Sequence, residues 1–291
     1  MGVVLGVDGG NSKTDVVVAT TEGEPVSYVR GGGSNSHGPG GSAGCIDVID
    51  GLVDVEAERA VLFLCGADLP HDIEELTALA QHLALDVTVD NDTFALLYAG
   101  TDRADAVAVV CGSGINCVGR SGDRIARYPG LGWETGDWGG AEPLAREALF
   151  LANRAADGRD EPTGLVRIFE EHFGKPVAEI GADVHYRRMP QSRLAEVAPA
   201  IVASGHPLVH RLADEVVLLV ERSLRDLGID DCDTVLGGGM FAGPLYDLVA
   251  PRVPNPIVPD LPPVAGAVLA ALEGEAQARF RASFRGWGPR G

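Results

Sequence analysis

Residues 3–20 of the chain read VVLGVDGGNSKTDVVVAT, an apolar run, a polar turn and a second apolar run. The runs at residues 3–7 and 14–20 are rich in valine, which is typical of β-strands, and residues 8–12 between them are typical of a turn. Glycine in such a turn permits a positive φ and lets backbone N–H groups converge on anionic oxygen atoms. The stretch therefore predicts a β-hairpin whose turn can bind phosphate, although an Asp-Gly pair is also a common tight turn without a ligand.

The same pattern of strand, glycine turn and strand returns about one hundred residues later. Residues 106–110 and 116–119 predict the two strands, and the segment GSG at 112–114 predicts the turn. A third glycine cluster, GGG at 237–239, follows a short predicted strand at 234–236. An internal repeat of this kind is a stronger signal than either copy alone, and it implies two related lobes.

Two other phosphate-binding motifs are excluded. A P-loop has the pattern GxxxxGK[ST] and opens a helix, whereas Lys13 and Thr14 follow Ser12 rather than glycine and lead into a strand. A Rossmann fingerprint also precedes a helix, but the glycines of residues 6–10 lie between two strands. The predicted hairpin is therefore a different kind of phosphate site.

The order of elements along the chain predicts the fold class. Strands that alternate with helical patterns indicate an α/β protein, and the antiparallel hairpins make its sheets mixed rather than purely parallel. We expect lobes at residues 1–102 and 103–291, with a mostly helical insertion at about 141–230 in the second lobe. Apolar spacing predicts one final helix over about residues 264–284.

Composition excludes several classes of partner. The chain of 291 residues has a formal net charge of -19, which argues against nucleic acid as a partner because the phosphate backbone requires a basic surface. No apolar run approaches the roughly 20 residues that a membrane span needs, so we expect no membrane partner. The N-terminus has no signal-peptide pattern, so we expect a cytoplasmic protein. The five cysteines lack CxxC spacing and are expected to be reduced and buried.

Five short motifs are spread along the chain, namely GVDGGNSKT at residues 6–14, NDT at 91–93, CGSG at 111–114, GW and GDWGG within 132–140, and GGG at 237–239. In kind and in order they resemble the motifs of the BadF/BadG/BcrA/BcrD ATPase family, which includes N-acetylglucosamine kinases. The resemblance spans most of the chain. It implies the two-lobed actin-like ATPase fold, a duplicated RNase H-like α/β fold with the active site in the cleft between the lobes.

The resemblance also implies an activity, an ATP-dependent kinase that uses Mg²⁺ to phosphorylate a hydroxyl group of a small sugar, N-acetylglucosamine or a related amino sugar. The residues implied to bind ATP are Gly9, Gly10, Asn11, Ser12, Lys13, Gly112, Ser113, Gly114, Gly237, Gly238 and Gly239. The residues implied to bind the sugar are Asn35, Asp92, Asn116, Gly130, Gly132 and Asp137. Lys13 equally fits a plain surface position, and Trp133 and Trp138 are candidates either for stacking on the sugar ring or for packing.

Asp8 and Asp92 are the candidates for the chemical step. Asp8 ends the first strand beside the phosphate turn, where a carboxylate can hold Mg²⁺ directly or through water. Asp92 is the candidate general base, because phosphoryl transfer needs a carboxylate near the attacking hydroxyl group. Two structural alternatives stay open, since Asp8 could cap the hairpin and Asp92 could be a helix N-cap.

The sequence departs from the family pattern at three positions. Ile115 and Gly140 stand where serine is common, and Ser12 stands where threonine is common, which leaves the identity of the sugar open. Two other functions also stay open, an ATPase activator of a 2-hydroxyacyl-CoA dehydratase or benzoyl-CoA reductase system, and a non-catalytic sugar or nucleotide sensor. The oligomeric state is undetermined, with a homodimer as one option.

Overall fold

The computed structural model describes residues 2–128 and 130–289, and its first sheet has five strands. These are β1 (Val3–Gly9), β2 (Thr14–Thr20), β3 (Pro25–Gly31), β4 (Ala57–Leu64) and β5 (Ala84–Asn91). They lie in the order β3-β2-β1-β4-β5, with antiparallel pairs within β1–β3 and parallel pairs linking β1 to β4 and β4 to β5. The predicted hairpin at residues 3–20 is therefore confirmed.

The second sheet repeats this topology. Its strands are β6 (Asp105–Cys111), β7 (Ile115–Ser121), β8 (Arg124–Tyr128), β9 (Asp233–Gly237) and β10 (Pro256–Ile257). They lie in the order β10-β9-β6-β7-β8, again with an antiparallel meander and then two parallel pairs. Strand β6 occupies the place of β1, which confirms the predicted internal repeat and the mixed α/β class.

Eleven helices are present in the described ranges. They are α1 (Gly41–Asp50), α2 (Pro70–Ala80), α3 (Thr93–Gly100), α4 (Ala141–Ala156), α5 (Gly164–Phe173), α6 (Val177–His185), α7 (Ala198–Ala203), α8 (Pro207–Leu227), α9 (Pro244–Val249), α10 (Pro263–Ala271) and α11 (Glu275–Ser283). Among these described residues, no helix is both long enough and apolar enough to cross a membrane.

The prediction of one continuous final helix is wrong. Helix α10 ends at Ala271 because Leu272 adopts an extended conformation, and Gly274 then has a φ of 55° before α11 begins. The break lets the two helices bury different surfaces. Helix α10 is apolar on almost every side, whereas α11 is mostly polar and buries Phe280.

Helices α3 and α10 share one hydrophobic core with both sheets. This core contains Val4 and Val17 from the first sheet and Ala106 and Ala108 from the second. The two helices touch at Gly266, where an added Cβ would overlap the carbonyl oxygen of Ala95. Close contact of two backbones leaves no room for a side chain, so this crossing requires glycine.

The C-terminal helices return to the first sheet. Helix α10 packs on β1, where a Cβ on Gly6 would lie 2.6 Å from the backbone nitrogen of Val268. Phe284, which follows α11, packs against Tyr28 of β3 with the two rings tilted and their centroids 5.7 Å apart. The division into lobes at residue 102 stays a prediction.

Candidate functional site

The turn after β1 exposes backbone donors. The N–H of Gly10 donates to the carbonyl of Lys13 at 2.9 Å and closes the turn. Asn11 and Ser12 at its tip are exposed, and within residues 2–128 and 130–289 no hydrogen bond uses their N–H groups. Free N–H groups at the tip of a tight turn form a concave site suited to phosphate oxygens.

The loop after β3 supports this turn from behind. The N–H of Ser34 donates to the carbonyl of Gly10 at 3.0 Å. The hydroxyl of Thr14 donates to the carbonyl of Gly32 at 2.6 Å. The side-chain amide of Asn35 donates to Oδ1 of Asn11, which places one predicted sugar-binding residue against the predicted phosphate turn.

Lys13 forms an ion pair with a buried aspartate. Its ammonium group lies 2.8 Å from Asp15, whose side chain is almost fully buried. Arg30 contacts the same carboxylate through two nitrogens, at 2.6 and 3.0 Å. Burial opposes the ionisation of Asp15, but these hydrogen bonds lower its pKa. The charge of Lys13 is thus partly neutralised, and its role toward ATP stays a prediction.

The turn after β6 has the same character. The N–H of Gly112 donates to the carbonyl of Gly114 at 2.9 Å. Space is open around the position that a Cβ would take on either glycine, so a ligand can approach the backbone there. In the described part of the chain, the N–H groups of Ser113 and Gly114 donate no hydrogen bond.

Helix α4 begins directly behind this turn. The N–H groups of Ala141 and Glu142 donate to the carbonyls of Gly112 and Ser113, at 2.8 and 2.9 Å. Gly140 precedes the helix with a φ of 84°, and an added Cβ would overlap the carbonyl of Gly114. The third glycine cluster lies on the other side, because Gly238 packs against the backbone of Cys111.

Asp8 and Asp92 lie at the same edge of the first sheet. Asp8 is at the end of β1, and Asp92 follows β5 directly. Burial and then the charge of Asp92 raise the pKa of Asp8 to about 7. Burial and then the charge of Asp68 raise the pKa of Asp92 to about 6. Burial is the largest cause for both groups, and the charge of Asp92 reaches Asp8, so the two carboxylates lie near each other in a poorly solvated region.

The helix cap of α3 comes from Asn91 rather than from Asp92. Oδ1 of Asn91 accepts the N–H of Thr93 at 2.9 Å, whereas the carboxylate of Asp92 makes no capping hydrogen bond. Asp8 likewise has no side-chain hydrogen bond in the residues described. The backbone N–H groups of Thr93 and Asp92 lie close enough to lower the pKa of the Asp92 carboxylate, but neither carboxylate caps the helix or bonds another side chain in the described residues, so both can still face a ligand.

The chemistry of Asp8 fits a magnesium ion. Its pKa is raised first by burial and then by the charges of Asp92 and Asp15, which Lys13 and Arg30 offset only in part, and a divalent cation would supply further compensation. Residues 2–128 and 130–289 hold no cluster of three or more His, Cys, Asp or Glu side chains that could bind a metal. An ion at Asp8 would therefore complete its shell with phosphate oxygens and water, as Mg²⁺ usually does.

Two pairs of predicted sugar-binding residues come together. A Cβ on Gly130 would lie within 3.4 Å of the side-chain amide of Asn116. Asp137 accepts the N–H of Gly132 at 3.3 Å and the hydroxyl of Thr135 at 2.6 Å, which closes the loop between them.

The two tryptophans of this region have different environments. Trp138 is only 5% exposed, belongs to the hydrophobic core and lies under the guanidinium of Arg211 at 4.0 Å. It packs rather than being free to stack on a sugar. Trp133 is 59% exposed.

Asp68 is a residue of this site that the sequence motifs do not include. It follows β4 at the same edge of the sheet, and it accepts the side-chain amide of Asn91 at 2.8 Å. Burial raises its pKa, and the charge of Asp137 contributes in the same direction. Gly66 and Asp68 repeat the spacing of Gly6 and Asp8, which is the sequence signal that could have identified Asp68, although Asp8 lies within β1 and Asp68 in the loop after β4.

Comparison with known sequences identifies relatives. The model of the BadF/BadG/BcrA/BcrD ATPase family matches residues 5–274. An N-acetylmuramic acid/N-acetylglucosamine kinase of Clostridium acetobutylicum is 28% identical over 182 residues, which cover 57% of this chain and 58% of that protein. The chain thus matches little more than half the length of this relative.

Comparison with solved structures confirms the predicted fold. A Chromobacterium violaceum protein, provisionally assigned as an N-acetylglucosamine kinase, superposes with a TM-score of 0.74 at 21% identity, over 92% of this chain and 98% of the other. A ROK family glucokinase from Streptomyces griseus, solved with glucose and AMPPNP, gives 0.57 at 19% identity, over 93% and 98% of the two chains. At these identities the likeness establishes the two-lobed, actin-like α/β architecture and nothing finer.

Proposed function

This chain belongs to the BadF/BadG/BcrA/BcrD ATPase family, and on that premise we propose that it is an ATP-dependent sugar kinase. The reaction would transfer the γ-phosphate of ATP to a hydroxyl group of N-acetylglucosamine or a related amino sugar. The choice of an amino sugar is supported by the Clostridium acetobutylicum relative, which is named for N-acetylmuramic acid and N-acetylglucosamine.

The environment of Asp92 is the observation that carries this proposal. Its carboxylate lies beside Asp8 at the edge of the sheet, and Asn91 rather than Asp92 caps the following helix. A pKa of about 6 leaves it ionised at neutral pH but more basic than an ordinary aspartate. Asp92 would therefore orient the attacking hydroxyl group and accept its proton.

The two glycine turns and Asp8 would hold the phosphates. The free N–H groups of Asn11 and Ser12 would donate to one phosphate group, and those of Ser113 and Gly114 to another. Mg²⁺, when bound, neutralises phosphate charge, and Asp8 is the side chain that would hold it. The third glycine cluster at residues 237–239 lies next to the end of β6, where Gly238 packs against Cys111, and we assign it to the adenosine part of ATP.

The sugar would lie between the edges of the two sheets. Asn35 and Asp137 approach that space from different loops, and Asn116 enters it from β7. Their amide and carboxylate groups would bond the sugar hydroxyls, with backbone groups of Gly130 and Gly132 completing the set.

The test is a kinase assay with MgATP across a panel of sugars that includes N-acetylglucosamine, glucosamine and N-acetylmuramic acid. Asp92→Asn keeps the size of the side chain but removes the base, so turnover should fall at least about 100-fold while nucleotide binding persists. Asp86→Asn, at an exposed position of β5, the strand that precedes Asp92, is the matched control and should retain wild-type activity. Full activity of Asp92→Asn would contradict the base assignment, and failure to phosphorylate any sugar would contradict the kinase proposal.

A further inference from the structure

Asp68 has no assigned part in the reaction proposed above. It lies after β4 beside Gly66, which packs against the side chains of Ser36 and Asn35. Asp68 thus lies near a predicted sugar-binding residue. The charged groups that face it come from several elements and are His37, Asp72, Asp92 and Asp137.

Asp68 fixes the orientation of a buried amide. Nδ2 of Asn91 donates to Oδ1 of Asp68 at 2.8 Å, and Oδ1 of Asn91 accepts the N–H of Thr93 at 2.9 Å. An amide nitrogen only donates and an amide oxygen only accepts. In the reversed orientation, the oxygen of Asn91 would face the carboxylate of Asp68, and its NH₂ group would face the N–H of Thr93. Both contacts would be repulsive, so Asp68 selects the observed orientation.

In this orientation Asn91 reaches two residues of the proposed site. Its bond to Thr93 fixes the start of α3 and with it the backbone of Asp92. The same oxygen accepts Nδ2 of Asn116 at 3.2 Å, and Asn116 belongs to β7 of the second sheet. An amide oxygen has two lone pairs, so both bonds can form together.

We propose that Asp68 is a positioning residue, which orients the side chain of Asn91 and thereby holds Asp92 and Asn116 in register across the cleft. The inference rests on the proposed kinase function and adds to it a residue outside the motifs.

Two variants test this role. Asp68→Ala removes the acceptor, and a small displacement of Asp92 should lower kcat/KM for the sugar about 100-fold. Asp68→Asn still offers an acceptor oxygen to Asn91, so it should restore most of this loss and leave kcat/KM about three- to tenfold below the wild-type value. The KM for ATP should stay unchanged in both variants, because the hydrogen bond of Asp68 is to Asn91 and not to a phosphate turn. A purely structural role would raise the KM for ATP as well and would not be rescued by Asp68→Asn.

Asp72→Asn is the matched control. Asp72 contributes charge near Asp68, but its side chain accepts the N–H of Leu69 and does not bond Asn91. This variant should leave the sugar kcat/KM near the wild-type value, and thermal unfolding of every variant checks its fold.

The two proposals fail in different ways. Loss of turnover in Asp92→Asn together with unchanged kcat/KM in Asp68→Ala would overturn the role of Asp68 and leave the kinase proposal standing. Wild-type activity of Asp92→Asn would instead overturn the base assignment. If Asp68→Ala does not fold, Asp68→Asn decides, since an unchanged kcat/KM for the sugar in that variant would contradict the inference.

Discussion

Asp92 combines three properties that a surface aspartate lacks. It lies at the edge of the sheet beside Asp8, and burial is the main cause of its raised pKa. Its neighbour Asn91 provides the cap that an aspartate before a helix would otherwise provide. The carboxylate is therefore not the cap of the helix, and its charge is poorly solvated, a combination typical of catalytic carboxylates.

The pH dependence of the reaction should report this environment. Asp92 must be ionised to accept a proton, and its pKa is raised to about 6. Below that pH it is protonated, so kcat/KM for the sugar should fall about tenfold per pH unit, and above it kcat/KM should level off. The measurement is kcat/KM between pH 4.5 and 8 at constant ionic strength and saturating MgATP. An acid limb near the ordinary aspartate value of about 4 would contradict the prediction.

At the scale of elements, the second phosphate turn depends on the start of α4. The first N–H groups of this helix donate to the carbonyls of Gly112 and Ser113. Because its carbonyls are bonded to the helix, the turn leaves the N–H groups of Ser113 and Gly114 free for a ligand. Gly140 makes the arrangement possible, because its positive φ and its contact with Gly114 both exclude a side chain.

Gly140→Ala should therefore weaken nucleotide binding. The added methyl group would push against the carbonyl of Gly114 and displace the turn, so the KM for ATP should rise about tenfold or more. Gly158→Ala is the matched control, since Gly158 has nearly the same φ, 83°, with no atom near the added Cβ. Both variants carry backbone strain, and only the first has the collision. An equal KM for ATP in the two variants would show that the contact with Gly114 does not matter.

The site also depends on the contact between helices α3 and α10, because Asp92 directly precedes α3. Gly266→Ala should lower the free energy of unfolding by about 1–3 kcal/mol, since the methyl group would overlap the backbone of α3. Gly44→Ala, inside α1 with room for a Cβ, should instead raise it by about 0.5–1 kcal/mol through helix propensity. Urea denaturation of the three proteins measures both changes. If Gly44→Ala lowered the free energy of unfolding as much as Gly266→Ala, the loss could not be attributed to the overlap with α3.

At the scale of the whole molecule, the end of the chain links the two halves of the fold. Helix α11 packs near the first sheet, and Arg281 donates from it to the carbonyls of Tyr98 and Ala99 at 3.0 and 2.8 Å. These carbonyls belong to the last turn of α3, just before the chain enters the second sheet. A cation at that position satisfies backbone acceptors and interacts favourably with the helix dipole.

Arg281→Gln should lower the free energy of unfolding by about 1–3 kcal/mol, because it weakens a charged hydrogen-bond donor to two partly buried carbonyls. Arg279→Gln is the matched control on the same helix. Its side chain is exposed, donates to the solvent-exposed carbonyl of Glu22 at 3.1 Å and makes a long ion pair of 3.9 Å to Glu24, so the expected change is below about 1 kcal/mol. Thermal or urea unfolding compares the two, and equal losses would contradict a specific role for the α3 carbonyls.

Local sequence patterns predicted the strands and turns because each depends on neighbouring residues. The turns at residues 8–12 and 112–114 follow from glycine between apolar runs, and the structure has both hairpins. The apolar pattern at 264–284 did not reveal the break at Leu272, because both halves have residues that favour helix. The break is decided by where each half can bury its surface, and α11 turns so that Phe280 enters the shared core.

The positions of two side chains near the site also could not be predicted from local sequence patterns. The segment around Trp138 resembles a sugar-binding loop, but the ring enters the core of the second half under Arg211. Asp68 belongs to no recognisable motif, and it enters the site only because β4 and β5 are neighbours in the sheet. Neither outcome depends on residues close in sequence.

The sequence alone determined that the chain contains two glycine hairpins in related α/β lobes, because hairpin turns and strand periodicity are local properties of the chain. It also supplied Asp8 and Asp92 as candidates, through the motifs in which they occur. Only the tertiary structure decided that Asn91 caps α3, that Asp92 is left free and that Asp68 joins them. Those relations depend on burial and on hydrogen bonds between strands and lobes, which bring together residues far apart in the chain.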